Sequence, residues 1–239
     1  MLENNKKRIP VITIDGPSGS GKGTIALRIA KALGWCILDS GIIYRAIAWA
    51  LLYYNVSLSD TDALASLLKR IQISIKNHLN EQIKVSCDGY DVTRTIRSKE
   101  CSIVASQASA LFLVRSTILQ YQRNFRRQPG LVADGRDMGT VVFPDAPLKF
   151  FFNADPDVRV YRRYKQLQVQ GINVSLPEVR EELGERDRRD NSRPIAPAKP
   201  ANDAVVINTT DLSVDGVFAL VMNCVKQRGL DKRKGLAER

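Results

Sequence analysis

Histidine and paired cysteines are scarce in this 239-residue chain, and their scarcity excludes several kinds of chemistry. The one histidine, His78, has no partner at metal-ligand spacing and lies in a polar stretch that predicts a hairpin turn. The four cysteines show no CxxC spacing; they are Cys36, Cys87, Cys101 and Cys224. We therefore expect no zinc site, no disulfide framework and no Ser-His-Asp catalysis.

Long apolar runs are also missing. The first apolar run, residues 11–14, is far too short for a signal peptide or a membrane span. The composition, with 44% apolar and 26% charged residues, is typical of a globular protein. We expect a cytoplasmic monomer without a membrane partner, and its length allows one α/β domain with one or two inserts.

Basic residues outnumber acidic ones, and the net charge is +11. Residues 1–8 carry three basic and one acidic residue, and residues 226–239 carry six and two, so these tails supply +6 of the total. The remaining arginines cluster where a polyphosphate would also need them. Since no RNA-binding aromatic motif or DNA-reading helix pattern accompanies the charge, small anionic substrates are favoured over nucleic acid.

Five short apolar runs alternate with segments of helical spacing and predict a parallel sheet with helices on both faces. The runs contain no internal proline or glycine and span residues 11–14, 36–39, 131–134, 148–152 and 204–208. Helical spacing follows at 22–33, 43–54, 98–128 and 176–190, and a further helix begins at Asp155-Pro156. Residues 71–92 instead alternate apolar and polar side chains, which predicts a small antiparallel β-subdomain.

These patterns predict an α/β fold with a discontinuous core domain. We assign residues 9–58 and 129–229 to the core and 59–128 to an insert that carries the β-subdomain and the helix after it. Residues 1–8 and 230–239 are predicted to be flexible tails.

A glycine-rich loop between the first strand and the first helix predicts a nucleotide triphosphate site. It consists of Gly16, Pro17, Ser18, Gly19, Ser20, Gly21, Lys22, Gly23 and Thr24. Its backbone N–H groups can cradle phosphate oxygens at the positive end of the helix dipole, and Lys22 can bridge the terminal phosphates. Gly23 stands where the general motif has the Ser or Thr that ligates Mg²⁺, so Thr24 or a water would take that place. The Lys-Gly-Thr variant is typical of nucleoside monophosphate kinases, with ATP as phosphoryl donor.

Four further segments extend this loop into a family pattern. They are residues 39–45 (Asp-Ser-Gly-Ile-Ile-Tyr-Arg), 105–108 (Ala-Ser-Gln-Ala), 134–145 (Asp-Gly-Arg-Asp-Met-Gly-Thr and Val-Val-Phe-Pro-Asp), and 185–190 with Arg193. Over nearly its whole length the chain resembles the bacterial cytidylate kinases. The resemblance implies a P-loop NTPase three-layer fold with a five-stranded parallel core, a short lid near residues 160–193 and an acceptor-binding insert. It also implies transfer of the γ-phosphoryl group of ATP to CMP or dCMP, which gives CDP or dCDP.

The resemblance assigns roles to individual residues. The acceptor-pocket residues that it implies are Ser40, Tyr44, Arg45, Ser106, Arg115, Arg136, Asp137, Arg186, Asp190 and Arg193. Within that set, Arg45 and Arg136 match clamps on the acceptor phosphate, and Ser106, Arg115 and Asp137 match cytosine-reading positions. The resemblance makes Asp134 the residue that would hold Mg²⁺ directly or through water, and Thr24 of the loop is the other candidate ligand. We take Lys22, Asp134, Arg136 and Arg162 as the catalytic set, in which Arg162 is a hypothesis from its position in the sequence.

The chemistry of the residues agrees with these roles. A carboxylate such as Asp137 can accept a hydrogen bond from the cytosine amino group, whereas uracil would place an acceptor there. Arg186, Asp190 and Arg193 share one helix face, although a solvated surface of ion pairs would show the same spacing. Three arginines at 159, 162 and 163 leave the same alternatives open; we hypothesise that they reach the transferring phosphoryl group.

Three other functions deserve comparison. A kinase for UMP, dTMP or a metabolite such as shikimate would share the glycine-rich loop. A nucleotide-triggered switch is less favoured because the chain has no guanine-reading Asn-Lys-x-Asp motif. A nucleic-acid-binding protein would be retained on DNA or RNA at physiological salt.

Overall fold

Five strands form one parallel sheet at the centre of the computed structural model, which describes residues 9–76, 83–169 and 171–231. With numbering in chain order, they are β1 (Val11–Asp15), β2 (Cys36–Asp39), β6 (Leu131–Gly135), β7 (Leu148–Asn153) and β8 (Val205–Asn208). Their order is β2-β6-β1-β7-β8, and every neighbouring pair is parallel. The predicted five-stranded parallel sheet is confirmed.

Helices cover both faces of this sheet. They are α1 (Lys22–Leu33), α2 (Ser40–Tyr53), α3 (Thr61–Arg70), α4 (Lys99–Ala108), α5 (Phe112–Arg123), α6 (Pro156–Val169), α7 (Leu176–Ser192) and α8 (Val214–Gln227). Alternate residues of a strand face opposite sides, so Ile12 and Ile14 pack with α1 and α8. Val11 packs with α2, α4 and α5 on the other side. This gives the three-layer arrangement that the sequence predicts.

The parallel register brings the ends of neighbouring strands to one edge of the sheet. Asp39, at the end of β2, lies beside Asp134 of β6, and Asp134 lies beside Ile14 of β1. The glycine-rich loop follows β1 at the same edge. The carboxyl ends of parallel strands line the ligand crevice of such folds, so the topology predicts a site at this edge.

Helices α6 and α7 form a unit with an apolar cluster of its own. Val160 and Leu167 of α6 pack against Val179 and Leu183 of α7. A capping box starts α7, in which Ser175 and Glu178 satisfy each other's backbone N–H groups. These helices cover the segment that the sequence predicts to be a lid.

The insert contains the small antiparallel sheet that the alternating pattern predicts. Its strands are β3 (Ile73–Lys76), β4 (Lys84–Cys87) and β5 (Tyr90–Asp91), paired in that order. The predicted hairpin turn around His78 lies outside the described residues, as do most of the predicted tails.

The segment 98–128, predicted to be helical throughout, is two helices. Between α4 and α5 the chain bends by 98°. The Ser109 hydroxyl donates to the Ser106 carbonyl, and Arg115 donates to the Ser109 carbonyl at 3.0 Å. These side chains satisfy backbone groups that a continuing helix would have bonded, so the helix can end without proline or glycine. Within the described ranges, no single helix is long and apolar enough to cross a membrane; the bent α4–α5 pair meets those criteria only when taken together.

Candidate active site

The glycine-rich loop wraps tightly between β1, β7 and α6. Gly16 has φ 146°, and a Cβ atom there would collide with the carbonyl oxygen of Phe152. At Gly19, with φ 79°, a Cβ atom would lie 2.7 Å from the carbonyl oxygen of Arg159. Only glycine fits these positions, because both the positive φ and the close approach of backbone exclude a side chain.

Helix α1 begins at Lys22, within the glycine-rich loop, and no side chain caps its first N–H groups. Its N-cap residue is Gly21, which has no side chain to bond them. The Lys22 ammonium is buried and donates to the carbonyl oxygen of Pro17 at 3.1 Å. Burial, and then the neighbouring Arg136, lower the pKa of Lys22 from 10.5 to about 7. The loop thus offers N–H donors and a lysine held at electrostatic cost, and a bound polyphosphate would relieve that cost.

Two carboxylates face this loop from the strand ends. Asp134 and Asp39 both line the large cavity over the sheet edge. Asp134 Oδ1 is buried and has no hydrogen-bond partner among the described residues. A Cβ atom at Gly23 would lie 3.0 Å from Asp134 Oδ2, so glycine at that position leaves the carboxylate room. Burial raises the pKa of Asp134 to about 7, although Lys22 opposes that rise.

Three half-buried guanidinium groups lie on the other side of the cavity. Arg136 donates to Asp190 Oδ2 at 2.9 Å, while Arg186 Nε stands 3.9 Å from the same oxygen and has no hydrogen-bond partner among the described residues. Burial, and then Arg136, lower the pKa of Arg186 to about 9. Burial, and then Arg163, lower the pKa of Arg45 as well. One carboxylate, Asp190, therefore faces several cations, an arrangement that favours an added anion.

A narrow pocket opens beyond these arginines. In its wall Arg115 and Asp137 form a buried ion pair, and Arg115 lies 5.9 Å from the centre of the Tyr44 ring. Ser106 accepts a hydrogen bond from Arg189 at 3.1 Å. The pocket therefore presents a carboxylate, a guanidinium and hydroxyl groups within one small enclosed volume.

All ten predicted acceptor residues line this narrow cavity, together with Gly41, Ala105, Ser109 and Gly135. The larger cavity has a volume of about 840 Å³ and is lined by the loop from Ser18 to Thr24, both carboxylates, and Arg162 and Arg163 of α6. The two cavities share part of their walls. The shared residues are Gly41, Arg45, Gly135, Arg136 and Arg186.

The three arginines of α6, Arg159, Arg162 and Arg163, make different contacts. Arg159 lines neither cavity: it donates to the Ser18 carbonyl at 3.2 Å and pairs with Asp187 of α7 at 2.6 Å. Arg162 donates to the Thr209 carbonyl at 2.6 Å while still lining the large cavity. The spacing left open whether these arginines reach the substrate or form ion pairs, and Arg159 does the latter, because the half-buried carboxylate of Asp187 on α7 pairs with it.

Sequence reasoning missed several residues at the site. Arg97, on the short 3₁₀ turn Thr95–Arg97 of the insert, lines the large cavity. Asp15 accepts hydrogen bonds from the backbone N–H groups of Met138 and Gly139, each at 2.8 Å, and so ties β1 to the turn after Asp137. Gln122 lies behind the narrow cavity. Only Asp15 carried a signal, as an acidic residue ending a buried strand.

Comparison with known proteins reveals close relatives along almost the entire chain. The family model described as cytidylate kinase matches residues 12–227. A curated cytidylate kinase from Coxiella burnetii is 67% identical over 230 residues, which are 96% of this chain and 97% of that protein. One from Shewanella loihica is 46% identical over 222 residues, 93% of this chain and 96% of that protein. Among solved structures, a Thermus thermophilus protein is 18% identical with a TM-score of 0.42, covering 92% of this chain and 98% of its own.

Proposed function

The chain belongs to the cytidylate kinase family, and from this premise we propose that its two adjoining cavities hold the two nucleotides of one in-line phosphoryl transfer. As a member it is a nucleoside monophosphate kinase, which transfers a phosphoryl group from ATP to CMP or dCMP. The shared wall carries the proposal, because Arg45, Arg136 and Arg186 border both cavities and can contact both reacting phosphates.

The donor side is the glycine-rich loop. Its backbone N–H groups and the uncapped start of α1 suit the β- and γ-phosphates of ATP. Lys22 would contact the terminal phosphates, and their charge would restore the full protonation that burial disfavours. Arg162, anchored on Thr209, would reach the same phosphates from the lid.

The acceptor side is the narrow cavity. Arg45 and Arg136 would clamp the CMP phosphate, while Asp137 would accept a hydrogen bond from the cytosine amino group. Arg115 holds that carboxylate in place from within the wall. The remaining residues assigned to the acceptor are Ser40, Tyr44, Ser106, Arg186, Asp190 and Arg193.

Rate enhancement would come from position and charge. Phosphoryl transfer spreads negative charge over the transferring group, and the protein supplies few covalent steps. Two nucleotides held in line would make the reaction effectively unimolecular. The cations of the shared wall would neutralise the developing charge without rearrangement, since Asp190 already holds Arg136 in place.

Magnesium fits the donor side. Among the described residues, no three His, Cys, Asp or Glu side chains form a metal cluster. Asp134 Oδ1, buried without a hydrogen-bond partner there, is a hard oxygen ligand of the kind Mg²⁺ prefers, and Thr24 is the nearby hydroxyl of the loop. Mg²⁺ bound with ATP would neutralise phosphate charge, and Asp134 would orient it directly or through water.

We further propose that the enzyme works as a cytoplasmic monomer on small molecules alone, without nucleic acid or membrane. The clustering of arginines around the cavities supports small anionic substrates over nucleic acid, because it accounts for part of the basic charge outside the tails. Sedimentation at working concentration with and without RNA checks the monomeric state and the absence of RNA binding; a dimer or a complex with RNA would contradict them.

A bisubstrate inhibitor tests the proposed geometry. We expect an adenosine and a cytidine joined by five phosphates to compete with both ATP and CMP, and to bind far more tightly than either. Competition with only one nucleotide would contradict the shared wall. A panel of nucleoside monophosphates with Mg-ATP, followed by ADP release, tests acceptor choice separately; no observation favours UMP or dTMP over CMP.

A further inference from the structure

Helix α5 presents two polar side chains within its buried stripe. The buried residues of this helix are Val114, Arg115, Ile118 and Gln122. Arg115 and Gln122 are seven residues apart and therefore share one face of the helix. Gln122 is only 2% exposed, although methionine or leucine would fill the same stripe without burying an amide.

The Gln122 amide contacts one residue of the acceptor cavity. Its Nε2 atom donates to Ser40 Oγ at 2.9 Å, and Ser40 is itself 3% exposed. Ser40 is the first residue of α2 and lines the narrow cavity, whereas Gln122 lines neither cavity. A ligand in the narrow cavity can therefore sense the amide through Ser40.

This contact determines which way the hydroxyl can bond. A serine hydroxyl has one hydrogen to donate and oxygen lone pairs that accept. Because the Gln122 amide N–H already donates to the Ser40 oxygen, the Ser40 hydroxyl hydrogen is left for another partner. Ser40 lines the narrow cavity, so this hydrogen can be donated to a ligand bound there.

We infer that Gln122 is a positioning residue for the acceptor nucleotide, which fixes the Ser40 hydroxyl as a hydrogen-bond donor into the acceptor cavity. The inference rests on the proposed function, since it needs CMP or dCMP in that cavity. Helix α5 then supports the pocket twice along one face, through Arg115 on Asp137 and through Gln122 on Ser40.

Two substitutions of Gln122 separate its effect on the direction of the Ser40 hydrogen bond from its effect on packing. Gln122→Met keeps the volume and removes the donor, and we expect it to raise KM for CMP about threefold to tenfold with kcat and KM for ATP nearly unchanged. Gln122→Glu places a carboxylate next to Ser40 that accepts the hydroxyl hydrogen, so the hydroxyl can no longer donate it to CMP. We expect this variant to raise KM for CMP about tenfold or more. Gln120→Glu makes the same chemical change on the exposed face of the same helix and should leave KM unchanged.

A double-mutant cycle with Ser40→Ala gives a readout that a merely structural role would not move. We expect Ser40→Ala alone to raise KM for CMP, and either Gln122 substitution to add less than about twofold in that background. An undiminished Gln122 effect without the hydroxyl would overturn the inference, as would a Gln122→Met enzyme with wild-type KM. If neither Gln122 variant folds, the amide is needed for the fold itself, and the inference is also overturned.

The bisubstrate inhibitor distinguishes failure of this inference from failure of the proposed function. Strong competition with both nucleotides together with a flat response to Gln122 substitutions would reject this inference and leave the proposed function standing. Loss of competition with CMP would reject both.

Discussion

Replacing Asp137 with asparagine should change which base the enzyme accepts. The carboxylate lies buried against Arg115, which also donates to the Ser109 carbonyl at 3.0 Å, so its position is fixed from behind. Asparagine keeps the size of the side chain but exchanges one acceptor oxygen for an NH₂ donor. That donor would oppose the amino group of cytosine and suit the O4 atom of uracil.

The expected loss of activity toward CMP follows from the free energy of one hydrogen bond to a charged group. Such bonds contribute about 1.5–3 kcal/mol, which corresponds to roughly a 10- to 150-fold loss of kcat/KM for CMP. Asp137→Ala should lose the same preference, but it leaves Arg115 buried without a counter-charge, at a cost of about 3–5 kcal/mol. Since whole domains are stable by only about 5–15 kcal/mol, asparagine is the safer probe.

The assay is steady-state ADP release with CMP and with UMP at saturating Mg-ATP. We expect the CMP to UMP ratio of kcat/KM to fall at least about tenfold, while urea unfolding shows a folded variant. Asp145→Asn serves as a control, because Asp145 pairs with Arg126 at 2.7 Å and lines neither cavity. A folded Asp137→Asn enzyme whose ratio stays within about twofold of the wild type would refute the assignment of Asp137.

Three further outcomes follow from the site. Lys22→Ala should abolish ATP:CMP transfer with the fold intact by circular dichroism, because the terminal phosphates lose their lysine; substantial residual turnover would remove Lys22 from that role. Arg162→Ala should lower kcat by about 10-fold or more, since one guanidinium contributes to charge neutralisation, and unchanged turnover would exclude it. Burial raises the pKa of Asp15 from 3.8 to about 7, against the opposing hydrogen bonds from Gly139 and Met138. The folded state thus binds a proton that the unfolded chain has lost, and the free energy of unfolding falls as pH rises between those values. Asp15→Asn should flatten that slope in urea unfolding at several pH values; an unaltered slope would contradict the raised pKa.

Some elements of the fold are predictable from the sequence, and others depend on tertiary contacts. The parallel strands and the antiparallel insert were predicted from periods of apolar residues, since those periods depend only on which side chains must be buried. The break after Ala108 was missed, because it depends on Arg115 reaching back to the Ser109 carbonyl. Arg159 was grouped with Arg162 by spacing alone, yet Asp187, on another helix, draws it away from the cavity.

The sequence by itself determined the parts whose physics is local: the glycine-rich loop between strand and helix, the helical spacing of α7 and the buried strands. It also carried the family pattern, from which the acceptor residues were named. Tertiary structure alone decided which side chains hold those residues in position. Gln122 and Ser40 are 82 residues apart, and Asp15 and Met138 are 123 apart. Hydrogen bonds of this kind require two distant segments to meet with their donors and acceptors aligned, and only the packing of the sheet and its helices brings them together.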